Sequence, residues 1–213
     1  SDVYKRQLQD LERFINEPQV EMDPIVRAAL VHYQFETAHP FLDGNGRLGR
    51  LLITLMLIND GVLHSCLFYP SFQFKKNRSE YYRQLTSVRE RGTYEEWIEF
   101  FCNSLLESAK DSVGSLKNLV DLHNRSTATI TENLGRTAAN GQRLLGILEE
   151  HPIVDTAFIA AQLDIGRSTA SSLVKSFEEL GILRPLDESR QRYRQYGYEE
   201  YLSILREDAE PIR

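Results

Sequence analysis

The stretch HPFLDGNGRLGR, His39 to Arg50, says more about fold and chemistry than any other part of the chain. It contains a histidine that can accept a proton near neutral pH, one carboxylate, a glycine-bracketed turn and two arginines. Its proline pushes the preceding residue out of the helical region, so the stretch predicts a loop between two helices. The combination suits binding of a polyphosphate and transfer of part of it.

The flanking sequence predicts those two helices. Asp23-Pro24 is a typical helix start, and apolar residues recur at helical spacings from Ile25 to Thr37. The second helix is predicted from Arg47 to Asn59, with Asp60-Gly61 as its stop. One face of this helix carries its large apolar side chains, namely Leu48, Leu51, Leu52, Leu55 and Ile58.

The rest of the chain predicts a mainly α fold with two domains. Further helices are expected over 76–91 and 94–110, and the polar run that follows them places a domain boundary near residue 135. Beyond it, helix, helix, turn, helix and a small hairpin around DESR form a winged-helix pattern. We therefore predict a helical domain over 1–135 and a winged-helix domain, α with a short β-hairpin, over 136–213.

Composition excludes some classes of protein. The chain has 213 residues, 41% hydrophobic and 26% charged, which is ordinary for a soluble globular protein. No apolar run reaches the roughly 18 residues of a membrane span, so no membrane contact is expected. Two cysteines indicate a reducing compartment, and we expect a cytoplasmic protein. The net charge of −6 does not favour bulk attraction to nucleic acid.

Within the loop, each residue type suits one part of a nucleotide triphosphate. Gly44 and Gly46 allow backbone N–H groups to approach phosphates at a helix N-terminus. Arg47 and Arg50 are three residues apart, hence on one face of the first helical turn. Asp43 is the only carboxylate available for Mg²⁺.

Each of these features alone has an ordinary structural explanation. A lone histidine that ends a helix is usually structural, and Gly-Asn-Gly is usually a turn. Two arginines at this spacing usually form a solvated face, and Asp43 could form an Asx turn. Their joint occurrence, in this order and within one short stretch, favours a functional site.

The stretch resembles the Fic signature, commonly written HPFx(D/E)GNGRxxR, at every defined position. LVHYQFETAHPF resembles the helix leading into the Fic loop, and NRSEYYRQL with YEEWIEFF resembles the segments after it. The tail, with IAAQLDIGRSTASSLVKSFEELGIL, is similar to the winged helix of many bacterial Fic proteins. The resemblance implies a Fic-type helical bundle over the first domain.

The resemblance also implies a reaction: transfer of AMP from ATP to a Ser, Thr or Tyr hydroxyl of a target protein or of the chain itself, with Mg²⁺ as cofactor. His39 would be the catalytic base and Asp43 would hold the metal. Nucleotide contacts would come from Asp43, Gly44, Asn45, Gly46, Arg47, Arg50 and Tyr81. The Asn45 side chain would lie near the α-phosphate and Phe41 would be a core anchor. Tyr81 is preferred over Tyr82 at the base, with core packing as its alternative.

Two elements common among such relatives are missing from this sequence. A β-hairpin flap would precede Leu8, and an inhibitory (S/T)xxxE(G/N) motif finds only an imperfect counterpart in ATITEN, Ala128 to Asn133. We expect the chain to be an N-terminally truncated piece, with a short uninhibited enzyme as the alternative.

Other functions stay open at this point. The same fold could use another nucleotide donor or remove AMP. Alternatively, the winged helix could bind DNA while the loop senses nucleotide. The tail is acidic, but residues 166–197 carry more basic than acidic side chains. We favour protein interaction or homodimerisation over DNA for this domain.

Overall fold

The computed structural model describes residues 2–17, 21–64, 70–187 and 194–207. Over these ranges the chain is mainly helical, which confirms the predicted fold class. The helices are α1 (Asp2–Asn16), α2 (Pro24–Ala38), α3 (Asn45–Asn59), α4 (Ser71–Lys76), α5 (Arg78–Arg91), α6 (Tyr94–Asn133), α7 (Ala138–Glu150), α8 (Thr156–Leu163), α9 (Arg167–Glu179) and α10 (Glu199–Glu207). In the part of the chain that is described, no helix combines the length and the apolar character needed to cross a membrane.

The first helix begins and ends where the sequence predicts, and α3 ends as predicted at Asn59 but begins at Asn45, two residues before the predicted start at Arg47. Asp23 caps α2 by accepting hydrogen bonds from the backbone N–H groups of Ile25 and Val26. At the far end of α3, Asp60 pairs with the largely buried Arg27 of α2. Because Arg27 is near the start of α2 and Asp60 follows the end of α3, the two helices are antiparallel and joined at both ends.

The buried face of α3 is not the face that carries its large leucines. Leu48, Leu51 and Leu55 are exposed. The buried positions are Gly49, Ile53, Thr54, Met56 and Leu57. The reason is the close approach of α2, which requires a glycine at the crossing point and therefore selects the face of α3 that begins there.

Aromatic residues form the core of the first unit, which covers the described residues up to Val113. Trp97 and Phe101 of α6 are fully buried, and the Trp97 indole N–H donates to the carbonyl of Ala29 at 3.0 Å. This bond attaches α6 to the backbone of the first half of α2. A smaller cluster around Leu11 packs α1 against Val31 and Met56.

The second unit begins at Gly114, inside α6, whereas the sequence placed the boundary near residue 135. Apolar residues at helical spacing occur within the polar run and just before it. Two of them, Leu122 and Ile130, belong to the core of the second unit. The helix therefore continues to Asn133.

The remaining elements of the second unit follow the predicted order. His151 ends α7, the Asp155 carboxylate caps α8, and Gly181 follows α9 with φ +74°. The strands are short: β1 (Ile153–Asp155), β2 (Arg184–Pro185) and β3 (Gln195–Gly197), antiparallel in the order β1-β3-β2. The sequence missed β1 and α10, and the predicted turn at DESR lies largely outside the described residues.

Candidate active site

His39 forms the junction between α2 and the loop. Its backbone is left-handed, with φ +46°, and its N–H donates to the carbonyl of Phe35 at 3.0 Å. Histidine is among the side chains that tolerate this conformation, which ends the helix and turns the chain. The residue is exposed, so its ring is accessible to a substrate.

The buried side chain of Asn45 holds the loop by hydrogen bonds to its backbone. Its side chain accepts a hydrogen bond from the Phe41 N–H at 2.9 Å and donates to the Phe41 carbonyl at 2.6 Å. Asn45 is 2% exposed. The amide oxygen and one amide N–H are thus used within the loop, and the contact of this side chain with the α-phosphate stays a prediction.

Phe41 is 51% exposed, so the prediction of a core anchor is wrong. The Asn45 amide holds the backbone of Phe41, and the aromatic ring is not needed as an anchor. The loop is shaped by hydrogen bonds to its main chain.

The first turn of α3 offers unused backbone donors. Gly44 precedes it with φ +84°, a conformation that favours glycine, and no side chain caps the helix. The N–H groups of a helix's first turn have no partner within the helix, and the helix dipole adds positive potential there. This end of α3 is therefore suited to an anion.

Asp43 lies beside that turn as an exposed carboxylate. One oxygen accepts from the Gly44 N–H at 2.7 Å, and the other lies 3.4 Å from Nη2 of Arg47. No group of three or more His, Cys, Asp and Glu residues that could hold a metal occurs among the described residues. A single carboxylate nevertheless fits Mg²⁺, which commonly binds one or two protein carboxylates together with substrate phosphates.

The two arginines of the loop differ in environment. Arg47 is exposed, and within the described ranges Asp43 is its ion-pair partner. Arg50 is half-buried, and its Nε donates to Oγ of Ser71 at 3.1 Å. A Cβ on Gly46 would meet Nη1 of Arg50 at 3.0 Å, so the guanidinium lies against the glycine.

Beneath the loop, α2 and α3 cross at a polar cluster. A Cβ on Gly49 would lie 2.6 Å from Oε1 of Glu36 and 3.1 Å from Cε1 of His32, so any larger residue requires these side chains to shift. Oε1 of Glu36 is buried without a hydrogen-bond partner. Burial raises the pKa of Glu36, against the opposing charges of Arg50 and His39.

His32 is neutral in this cluster. Burial lowers the pKa of His32 to about 4, and the charge of Arg50 acts in the same direction. Its Nε2 is 2.9 Å from the hydroxyl of Tyr81. Burial also raises the pKa of Tyr81, so its hydroxyl stays protonated.

Tyr81 is 4% exposed and belongs to the core, which corrects its assignment to the nucleotide base. Its neighbour Tyr82 is 53% exposed, and the Arg78 guanidinium lies over its ring at 5.7 Å from the centroid. Of the two tyrosines, only Tyr82 presents its ring to a ligand.

Sequence reasoning missed three residues that support the site. Glu36 lies one helical turn before His39, a spacing that could have drawn attention to it. Gly49 stands at one of the three unassigned x positions of the signature. Ser71 is 21 residues from Arg50, and no local pattern joins them.

The comparisons with known proteins agree with the resemblance of the loop. A model of the Fic/DOC family matches residues 2–57. Protein adenylyltransferase fic-1 of Caenorhabditis briggsae is 35% identical over 112 residues, which is 52% of this chain and 21% of that protein. Protein adenylyltransferase Fic of Drosophila ananassae is 36% identical over 97 residues, 45% of this chain and 18% of that protein.

The fold also has a solved counterpart. A Fic family protein from Desulfovibrio desulfuricans G20 superposes with a TM-score of 0.51 at 22% identity, over 92% of this chain and 55% of that one. The site and fold thus define a helical class of protein with a helix N-terminus suited to an anion. Within that class, residues 2–57 of this chain match the Fic/DOC family. It spans about a fifth of the length of the curated relatives.

Proposed function

We propose that the chain is a protein adenylyltransferase that transfers AMP from ATP to a hydroxyl side chain of a protein. The observation that carries the proposal is the loop from His39 to Arg50, where an exposed imidazole, a helix N-terminus and two guanidinium groups lie within one short segment. The relatives named above as protein adenylyltransferases support the choice of AMP as the transferred group.

Each loop residue then has a role. His39 takes the proton of the target hydroxyl as that oxygen bonds to the α-phosphorus and the α–β phosphoanhydride bond breaks, so pyrophosphate leaves. The N–H groups at the start of α3 bind phosphate oxygens, and Arg47 and Arg50 bind the β- and γ-phosphates. Positioning and charge neutralisation of this kind supply most of the catalysis in phosphoryl chemistry.

Asp43 is the residue that would hold Mg²⁺, whose chemistry is to neutralise phosphate charge. It is exposed and reaches over the start of α3 with one oxygen bonded to Gly44 and the other near Arg47. The contact between this oxygen and the Arg47 guanidinium is long, at 3.4 Å, and exposed, so Arg47 could leave it to bind the phosphates.

Labelled ATP tests the proposal. We expect the label to become covalently attached to protein when it is on the α-phosphate and not when it is on the γ-phosphate. The experiment uses candidate target proteins and also the chain alone, because the proposed reaction modifies either a separate protein or the chain itself. Attachment of the γ-label would instead indicate phosphate transfer, and release of AMP from AMP-modified protein would favour the reverse reaction.

For the second unit, we propose a winged helix used for contacts with protein, including a second copy of the chain. Helix, helix, turn, helix and the β1-β3-β2 sheet support this assignment. DNA binding is the alternative, and it rests on exposed side chains of α9 that include Ser168, Thr169, Ser171, Ser172 and Lys175. With Arg167, which is also exposed, these supply two positive charges. A gel shift with random duplex DNA at two salt concentrations separates the two, because phosphate binding weakens steeply with salt.

A further inference from the structure

The Arg50 side chain is held in place by contacts from two segments. Its Nε donates to Oγ of Ser71 at 3.1 Å, and its Nη1 lies against Gly46, where a Cβ would come within 3.0 Å. Arg50 is half-buried, whereas Arg47 is exposed and bonded only to a carboxylate of its own loop. The two arginines of the signature are therefore not equivalent.

Among the residues that the structure describes, the Ser71 hydroxyl has no hydrogen-bond partner other than Arg50. Ser71 is the first residue of α4, and the cap of that helix is Pro70, which offers no side-chain hydrogen bond. Arg50 is the partner that the structure gives this hydroxyl. A serine whose role was local would be expected to bond to the backbone of its own helix terminus.

A single bond at Nε has a clear consequence for a guanidinium. The group is planar, so fixing Nε fixes the directions of Nη1 and Nη2. Both terminal nitrogens keep N–H groups for phosphate oxygens, and less rotamer freedom is lost when a ligand binds.

We propose that Ser71 is a positioning residue for polyphosphate binding: its hydroxyl holds Nε of Arg50 so that the terminal nitrogens face the β- and γ-phosphates of ATP. The role of Arg50 in this statement rests on the proposed function. Ser71 itself does not touch the nucleotide and acts only through Arg50.

Calorimetric titration of ATP and AMP tests this without any transfer reaction. For Ser71→Ala we expect ATP binding to weaken by roughly 5- to 10-fold, as for loss of one ordinary hydrogen bond, with AMP binding unchanged. Ser71→Thr keeps the hydroxyl and should restore ATP binding. Ser79→Ala, which removes an exposed hydroxyl from α5, is the matched control and should change neither.

A double-mutant cycle with Arg50→Ala completes the test. If Ser71 acts through Arg50, Ser71→Ala has no further effect on ATP binding once Arg50 is removed. Additive losses, or equal weakening of ATP and AMP, would overturn the proposal.

An NMR readout separates this proposal from the adenylyltransferase assignment. The arginine Nε–H signal that disappears in Arg50→Ala should exchange with water faster in Ser71→Ala than in the wild type, and an unchanged exchange rate would refute the positioning role. If Ser71 governs ATP binding in these experiments but no AMP is transferred, the positioning role stands and the proposed reaction fails.

Discussion

The outer surface of the loop and the layer beneath it are built on different principles. Outside, His39, Asp43 and Arg47 are exposed and make few contacts. Inside, Asn45 and Gly49 are buried and fix the loop and the helix crossing with short contacts. The difference indicates that the outer residues can change without loss of the fold, whereas the inner residues cannot.

The largest effect is expected at the helix crossing. Gly49→Leu would place side-chain atoms where Glu36 and His32 already lie, so α3 must move away from α2. We expect a loss of about 3 kcal/mol or more in the free energy of unfolding, measured by urea denaturation. Gly114→Ala, at a helical glycine with nothing within 4 Å, should instead be neutral or stabilising. A loss below about 0.5 kcal/mol in Gly49→Leu would contradict the close approach.

Acid should weaken the inner layer through His32. Its folded-state pKa of about 4 lies below the usual value of 6.5 for histidine, so the unfolded chain binds the proton more tightly and stability falls as pH drops from about 6.5 toward 4. The expected loss between pH 7 and pH 4.5 is about 2 kcal/mol. The pKa of Glu36 is raised, so this residue affects stability in the opposite direction: its contribution to the free energy of unfolding is lost as pH rises.

Urea denaturation at several pH values measures this slope, and two variants separate the contributions. His32→Gln should flatten the slope, while the same change at the exposed His64 should leave it as in the wild type. An unaltered slope in His32→Gln would assign the acid sensitivity to other groups.

Asn45→Ala removes both side-chain bonds to Phe41 and should release the loop. We expect a loss of about 1–2 kcal/mol in the free energy of unfolding. The rate of AMP transfer should fall at least tenfold, because the helix N-terminus and His39 would no longer be held together. Asn103→Ala, at an exposed position of α6, is the matched control. Full activity with Asn45→Ala would show that the loop keeps its shape without the amide.

The smallest effect on stability is expected at Arg47. Its pair with Asp43 is exposed, and such pairs contribute little, so Arg47→Ala should change the free energy of unfolding by less than about 0.5 kcal/mol. ATP binding should nevertheless weaken by roughly tenfold, since a charged contact to phosphate is lost. Loss of stability without loss of ATP binding would place Arg47 in the inner layer.

Local signals predicted the limits of the loop and its helices. Asp23-Pro24, His39-Pro40 and Asp60-Gly61 each act through the backbone of a few residues, and the structure ends or begins a helix at each. The same holds for His151 and Gly181 in the second unit. Signals of this kind do not depend on what the helices later pack against.

Tertiary packing decided what the sequence could not. The leucines of α3 predicted that their own face would be buried, whereas the approach of α2 to Gly49 buries a different face of the helix. Phe41 is apolar but exposed, since Asn45 already holds its backbone. The partnership of Ser71 with Arg50 depends on where α4 lies, which no local pattern reveals.

The central claim is that the exposed residues of the loop carry out the reaction, while the buried residues hold the loop in shape. Substitution of His39 tests this claim most directly. The transfer rate from α-labelled ATP should be measured together with ATP affinity and unfolding for His39→Ala, and for His39→Asn, which tolerates the left-handed backbone. We predict a rate lower by about 10²–10⁴-fold or undetectable, with ATP affinity and stability close to wild type. Retained transfer, or equal loss of transfer and ATP binding, would contradict the account.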